Sequence, residues 1–302
     1  MTKTGNQKVY EYLKISLIIT LMICTYYKTF VWMEDRWGSE SSYYSHGYLI
    51  PFVTVFLIWR KRDCFHDMVY CPSNWGLPLF ITGILLQISS AFLRVHFLSG
   101  FSCILVLSGI VFYLFGKSVG NKLLFPILFL ITLIPLPLSV IAGLSLNMKL
   151  FAAACAVKII DLIGITVIQD GSKIFFSNCT LVVGDVCSGL KSLIALISFG
   201  ALYAYTSSGT FYMKPFLFFA SIPAAIVANI IRILILCLVA RNWGSEIASG
   251  IVHDITGILI FAIAFIPLYF LAAVLQKFER LILYKNTGHS QRNSLTLTTH
   301  NV

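Results

Sequence analysis

Length, composition and charge exclude an ordinary soluble domain. The 302 residues are 58% hydrophobic and 11% charged, whereas a soluble domain carries roughly 25% charged residues. The net charge of +10 does not indicate a nucleic-acid-binding protein, because the positive residues form short clusters between apolar segments and no basic stripe interleaved with aromatic residues. Several apolar segments reach the roughly 20 residues that cross a bilayer, and a backbone in hydrocarbon must satisfy its own hydrogen bonds as a helix.

The apolar segments predict an all-α polytopic membrane protein with about eight transmembrane helices. The predicted spans are 13–33, 47–60, 76–94, 99–116, 123–142, 187–206, 214–239 and 252–275. Lysines and arginines are concentrated in the loops on one side of these spans, and the positive-inside rule places that side and both termini in the cytoplasm. The sequence therefore predicts a multi-pass protein of the inner (cytoplasmic) membrane, with residues 1–285 as a single domain.

Two segments depart from the pattern of spans. Within 143–186, charged residues interrupt an apolar stretch at helical spacing, which predicts an amphipathic helix on the outer surface. β-Branched runs then flank Asp170-Gly171, which predicts a β-hairpin. The tail at 286–302 is rich in Ser, Thr and Asn, and this composition predicts a disordered cytoplasmic tail.

The sixth predicted helix begins at Cys187, within a polar stretch on the predicted outer face. A thiol at a helix N-terminus lies near the positive end of the helix dipole, which favours the nucleophilic thiolate. Asp185 or Ser188 could cap this helix. The alternatives are that Cys187 is a small apolar filler or forms a disulfide with Cys179.

Asn229 and Arg232 lie within the apolar run of the seventh predicted helix. Their i, i+3 spacing places both on one helix face. An arginine inside a span costs about 2.5–3.5 kcal/mol on insertion scales, so it indicates a functional site by default. The alternative is a structural ion pair between helices.

His253 begins the eighth predicted helix on the same membrane face as Cys187. It could exchange protons near neutral pH, although alone it would be read as a polar interface anchor. Asp254 is about 100° further around the helix, so Asn229 or a backbone carbonyl is expected to orient the ring instead. Thiol, imidazole and fixed cation together suit acyl transfer, which needs a nucleophile, a proton carrier and stabilisation of an oxyanion.

A further polar stretch, containing Tyr44 and His46, opens the second predicted helix on that face. His46 is a second candidate base. An aromatic belt at the membrane interface and a substrate-binding surface are equally good interpretations of this stretch.

Four blocks together resemble the exosortase/archaeosortase family. They are residues 187–192 (CSGLKS), 229–232 (NIIR), 253–257 (HDITG), and 44–48 (YSHGY) followed by 59–62 (WRKR). The resemblance covers about residues 30–275. Lys191 stands where many members have arginine, which keeps the charge.

The resemblance implies an integral-membrane cysteine protease or transpeptidase without a cofactor or metal. Its partners would be exported proteins whose C-terminal sorting signal consists of a short motif, a transmembrane helix and a basic cluster, with the membrane lipid around them. The implied catalytic residues are Cys187, Arg232 and His253. Residues expected to bind substrate are His46, Tyr44, Asn229, Ser188 and Asp185.

Two other functions compete with this interpretation. A transporter or lipid-handling protein could use Arg232 to bind an anionic group, but the sequence shows no repeated halves. A metal-dependent membrane protease would need a ligand set such as His-Glu-x-x-His, which the sequence lacks.

Overall fold

The computed structural model describes residues 5–39, 42–62, 73–184, 188–210 and 212–299. Within these ranges six helices are long and apolar enough to cross a membrane, and two further apolar helices, Ser45–Trp59 and Leu190–Thr206, are shorter. The chain divides into two compact units, Met1–Ile141 and Ala142–Val302. This architecture confirms the predicted polytopic, all-α membrane protein.

The first unit is built from four α-helices, two short 3-10 helices and the beginning of a fifth α-helix. They are α1 (Gly5–Gly38), a 3-10 turn (Ser45–Tyr48), α2 (Leu49–Trp59), α3 (Gly76–Leu93), α4 (His96–Phe129), a second 3-10 turn (Leu130–Leu133) and the start of α5 (Leu138–Leu162).

Close packing of α3 against α4 depends on glycine. A Cβ on Gly76 would lie 2.3 Å from the Tyr113 nitrogen and 2.5 Å from the Gly109 oxygen. Small residues let membrane helices approach closely, because packing rather than hydrophobic exclusion holds them together in lipid. Hydroxyl pairs add polar contacts between α1 and α4, including Tyr26 Oη to Ser102 Oγ at 2.7 Å.

Two of the predicted segments in the middle of the chain differ from the structure, and prolines explain the first difference. The predicted span 123–142 is wrong: helical structure ends at Leu133, and α5 begins at Leu138, because Pro135 and Pro137 lack N–H donors and disfavour helix in the residues before them. The preceding α4 is interrupted only at Gly116, whose φ is 79°, where the predicted span 99–116 ends. The surface helix predicted within 143–186 is in fact part of α5, a 25-residue helix apolar enough to span a membrane.

The second unit contains a small sheet, the remainder of α5 and four more helices. These elements are β1 (Ile168–Asp170), β2 (Lys173–Phe175), β3 (Thr180–Val182), α6 (Leu190–Thr206), α7 (Met213–Trp243), α8 (Ser245–Ser249) and α9 (Ile251–Thr299).

The sheet is antiparallel in the order β1-β2-β3. The β1–β2 hairpin confirms the Asp-Gly prediction, with Gly171 at φ 58° in the turn; the third strand was not predicted. One buried cluster joins α5, the sheet and the C-terminal part of α7, with Ile160, Ile174, Leu181 and Leu236 among its members. The sheet therefore packs on the same part of α7 that follows Arg232.

The last helix extends beyond the predicted span. α9 includes residues 286–299, for which the composition predicts a disordered tail. Weak helix formers such as Ser, Thr and Asn carry little intrinsic preference, so the composition gives no signal for a helix there.

Candidate active site

A tight turn leads into α6. Gly189 is the N-cap residue and has φ 77°, a left-handed conformation that only glycine adopts readily. The Ser188 hydroxyl accepts a hydrogen bond from the Leu190 nitrogen at 3.3 Å, and Ser192 Oγ donates to the Gly189 carbonyl at 3.0 Å. Ser188 therefore accepts from a backbone donor at the start of this helix, but the N-cap position that the sequence offered to Ser188 or Asp185 is occupied by Gly189, without a side-chain cap. Cys187 and Asp185 lie outside the described residues.

The side chain of Asn229 fixes this turn from α7. Asn229 Nδ2 donates to the Ser188 carbonyl at 3.3 Å, and the residue is only 1% exposed. A Cβ on Gly189 would lie 2.3 Å from Asn229 Cγ, so the amide lies flat against the glycine backbone. Asn229 Oδ1 is buried and has no hydrogen-bond partner within the described parts of the chain.

Arg232, one turn further along α7, is buried and bonded to the start of α9. Its Nη2 lies 2.8 Å from His253 Nε2 and donates to the His253 carbonyl at 3.2 Å. Its Nε donates to Thr256 Oγ1 at 3.4 Å. Because a guanidinium has donors only, these bonds fix which atoms of α9 accept. Arg232 and His253, which the sequence analysis grouped together, are thus in direct contact.

The contact with Arg232 determines the tautomer of His253. Since Nη2 can only donate, Nε2 accepts, and the ring is neutral with its proton on Nδ1. Nδ1 lies 3.2 Å from Asp254 Oδ1. The expectation that Asp254 does not orient the ring is therefore wrong, because the Asp254 side chain bends back far enough for its carboxylate to contact the neighbouring His253 ring. Asp254 is 86% exposed, so solvent screens this pair and weakens it.

Thr256 is a member of this cluster that the sequence reasoning did not assign. It is 4% exposed, and its hydroxyl donates to the Val252 carbonyl at 2.8 Å while accepting from Arg232. Its i+3 spacing from His253 places both side chains on one helix face, and this was the available signal. Gly257 also faces the guanidinium, and a Cβ there would lie 3.4 Å from Arg232 Nη2.

A small cavity of about 40 Å³ adjoins His253. Its other lining residues are mainly apolar and include Val183, Ile233, Leu236 and Ala248. The imidazole is thus bordered by apolar surface from the strand end and from α7. Apolar surroundings lower the local dielectric constant and strengthen hydrogen bonds within the site.

Cys179 lies just before β3, against the C-terminal part of α7. It is a free thiol whose Sγ donates to the Ala240 carbonyl at 3.3 Å. The disulfide between Cys179 and Cys187, considered above as an alternative, involves a residue that lies outside the described parts of the chain.

Tyr44 and His46 belong to the first unit. Their rings stack with centroids 6.0 Å apart, and Tyr44 Oη accepts from the Leu136 nitrogen at 3.2 Å. Burial raises the pKa of the Tyr44 hydroxyl, and the bond from Leu136 lowers it by less. The hydroxyl therefore keeps its proton and can donate it to a ligand. Tyr44 also lines a pocket of about 80 Å³ that includes Arg36 and Ser42.

The second unit thus holds an arginine–histidine pair between two helices that are each long and apolar enough to cross a membrane. Residues 37–270 match the protein-family model described as transmembrane exosortase, and the chain belongs to this family. Comparisons with curated proteins and with solved structures gave no match. Family membership indicates a membrane protein that takes part in the processing of sorting signals.

Proposed function

We propose that this protein is a membrane-embedded cysteine peptidase or transpeptidase that cleaves the C-terminal sorting signal of exported proteins. The observation that carries the proposal is the bond between Arg232 and His253, made one helical turn from the Asn229 side chain that holds Ser188. Ser188 directly follows Cys187 in the chain. A fixed cation, an imidazole and a thiol are the three groups that acyl transfer requires.

Each group has one role in the proposed reaction. The thiol of Cys187 gives its proton to His253, and the sulfur attacks the scissile carbonyl carbon. The electron pair of the carbonyl moves to oxygen, where Arg232 stabilises the charge. When the carbonyl reforms, the C–N bond breaks, the leaving nitrogen takes the proton from His253, and a thioester remains. Water or an amine then attacks the thioester, gives its proton to His253 and releases the sulfur.

The resting geometry requires one rearrangement before these steps. His253 Nε2 is occupied by Arg232 Nη2, so the ring has no free lone pair with which to accept a proton. A substrate carbonyl oxygen competes for the same Nη2 hydrogen. Binding of the substrate to Arg232 would thereby free Nε2, which ties the base to the presence of substrate.

Asn229 offers the substrate a hydrogen-bond acceptor. Its Nδ2 donates to the Ser188 carbonyl, and its buried Oδ1 has no partner in the described residues. A buried acceptor without a donor costs about 1–3 kcal/mol, and a peptide N–H of the substrate would remove that cost. We assign Ser188 and Asp185 to the substrate-binding turn, and Tyr44 and His46 to an additional substrate contact.

The proposed location follows from the charge distribution in the sequence. Loops rich in lysine and arginine face the cytoplasm together with both termini. The turn before α6 and the start of α9 then face the outer, periplasmic side of the cytoplasmic membrane. A sorting signal with a transmembrane helix and a cytoplasmic basic cluster would present its motif to that side.

The experiment combines the full-length chain with an exported protein from the same genome whose C-terminus carries a motif, an apolar helix and a basic cluster. Processing is followed by the change in mass of the exported protein, and the thioester by trapping with hydroxylamine. A transporter or lipid-handling protein would give no processing and would tolerate Cys187→Ser. Processing that survives Cys187→Ser would contradict the proposed mechanism.

A further inference from the structure

We infer that Thr256 is the residue that positions the Arg232 guanidinium for the reaction, an inference that rests on the proposed function. Within the described parts of the chain, Arg232 bonds to α9 through Nη2, with His253 as partner twice, and through Nε. The bond through Nε joins Arg232 to Thr256 Oγ1. Thr256 is thus the α9 residue that contacts the inner end of the guanidinium fork.

The direction of this bond is determined by the hydroxyl itself. The one hydrogen of Thr256 Oγ1 is directed at the helix carbonyls of Val252, at 2.8 Å, and His253, at 3.0 Å. One of the two lone pairs of Oγ1 accepts from Arg232, which can only donate. The back-bond to the helix therefore also sets the rotamer in which the hydroxyl meets the guanidinium.

The reaction distinguishes the two ends of the guanidinium. Nη2 must break its hydrogen bond with His253 Nε2 when it binds the substrate oxygen, whereas Nε need not change its partner. The Nε–Thr256 bond can persist throughout and keep the planar fork in one orientation while Nη2 changes partner. Preorganised donors stabilise a transition state because they need no reorientation at the moment of reaction.

Burial gives this bond its importance. Thr256 is 4% exposed and Arg232 5% exposed, so water cannot replace the hydroxyl if it is removed. Asp254, on the other side of His253, is 86% exposed. Loss of the Thr256 hydroxyl is therefore expected to cost more than loss of the Asp254 charge.

The test uses Thr256→Val, which keeps the shape and removes the hydroxyl. With the full-length chain and the exported substrate protein described above, we expect kcat to fall on the order of 10–100-fold, with KM nearly unchanged. Thr256→Ser, which restores the acceptor, should return kcat to near the wild-type value. Thr206→Val is the matched control, because Thr206 makes the same back-bond, to the Leu202 carbonyl at 2.9 Å, on another helix.

Coupling to Arg232 separates positioning from a general loss of structure. If Thr256 acts through Arg232, adding Thr256→Val to Arg232→Lys should lower kcat by no more than about 2-fold, because the bond is already lost. Additive effects, a wild-type kcat in Thr256→Val, or a Thr256→Ser variant as slow as Thr256→Val would each overturn the inference.

A second measurement does not depend on activity. In protein labelled with ¹⁵N-arginine, the Nε–H signal that disappears in Arg232→Lys should exchange slowly with solvent in the wild type and much faster in Thr256→Val. Unchanged slow exchange would contradict the contact. If no substrate is processed by the wild type but exchange responds as expected, the proposed function fails while the role of Thr256 in holding Arg232 stands.

Discussion

Arg232 Nη2 lies 2.8 Å from His253 Nε2, so a permanent cation occupies the lone pair of the proposed base. This contact fixes the imidazole in its neutral form with the proton on Nδ1. It also places the guanidinium where an incoming carbonyl oxygen would compete with the ring.

Replacing Cys187 by alanine should abolish processing of the exported substrate while the protein remains folded in membranes, because the sulfur forms the acyl-enzyme bond. Mass spectrometry of the substrate measures this loss. Cys179→Ala is the control, since that thiol is bonded to the Ala240 carbonyl, and it should retain processing. Undiminished cleavage by Cys187→Ala would remove the nucleophile from the mechanism.

Arg232→Lys should lower turnover far more than it weakens substrate capture. A lysine ammonium is a compact charge that lacks the planar fork of donors, so it cannot reach Thr256 and His253 together as Arg232 does. We expect a loss in kcat on the order of 10²–10³-fold, the size seen when one oxyanion donor is removed. Steady-state kinetics separates kcat from KM, and a variant with normal kcat and raised KM would contradict this role.

His253→Ala should stop turnover, whereas His46→Ala should only weaken it, because His253 is the ring in contact with Arg232. Comparison of the two variants against one substrate decides the assignment. Asp254→Asn should have a smaller effect than His253→Ala, since the Asp254 carboxylate is largely exposed. If loss of His46 is the lethal change, the proton carrier is His46 instead.

Gly189→Ala should destabilise the protein and impair processing. The left-handed backbone at φ 77° costs a non-glycine residue about 1–2 kcal/mol, and the added methyl would meet the Asn229 side chain. Thermal unfolding in detergent measures the loss.

Gly184→Ala is the matched control for this change, because a Cβ there meets nothing within 4 Å among the described residues. Combining Gly189→Ala with Asn229→Ala should relieve the crowding but not the backbone strain, and so recover part of the stability. Equal unfolding temperatures for Gly184→Ala and Gly189→Ala would show that the turn tolerates a side chain.

The sequence by itself determined the class of fold and the identities of the charged residues inside it. Apolar segments of membrane length have one way to satisfy their backbone, as helices, so α1, α3, α7 and the start of α9 could be located from composition alone. Arg232 was recognisable because its charge is costly in lipid. The hairpin at Gly171 was recognisable because a two-residue turn demands particular residues.

The break between α4 and α5 could have been found locally, since Pro135 and Pro137 are visible in the sequence. The mean hydropathy of the segment nevertheless predicted one continuous span, because an average over many residues does not show that two prolines lack the N–H needed for helical hydrogen bonds. The length of α5 was hidden for a related reason. Its lysines and Asp161 look like the polar face of a surface helix, although the segment as a whole is apolar enough to span a membrane.

Only the tertiary structure decided how the polar side chains meet. Contacts between α7 and the starts of α6 and α9 join residues 21 to 41 positions apart, and no local pattern encodes such distances. The role of Thr256, the tautomer of His253 and the fit of Asn229 against Gly189 each depend on how helices pack across the unit. The periodicity of one segment predicts which face of its helix is buried. Which other helix that face contacts depends on how the surfaces of both helices fit together.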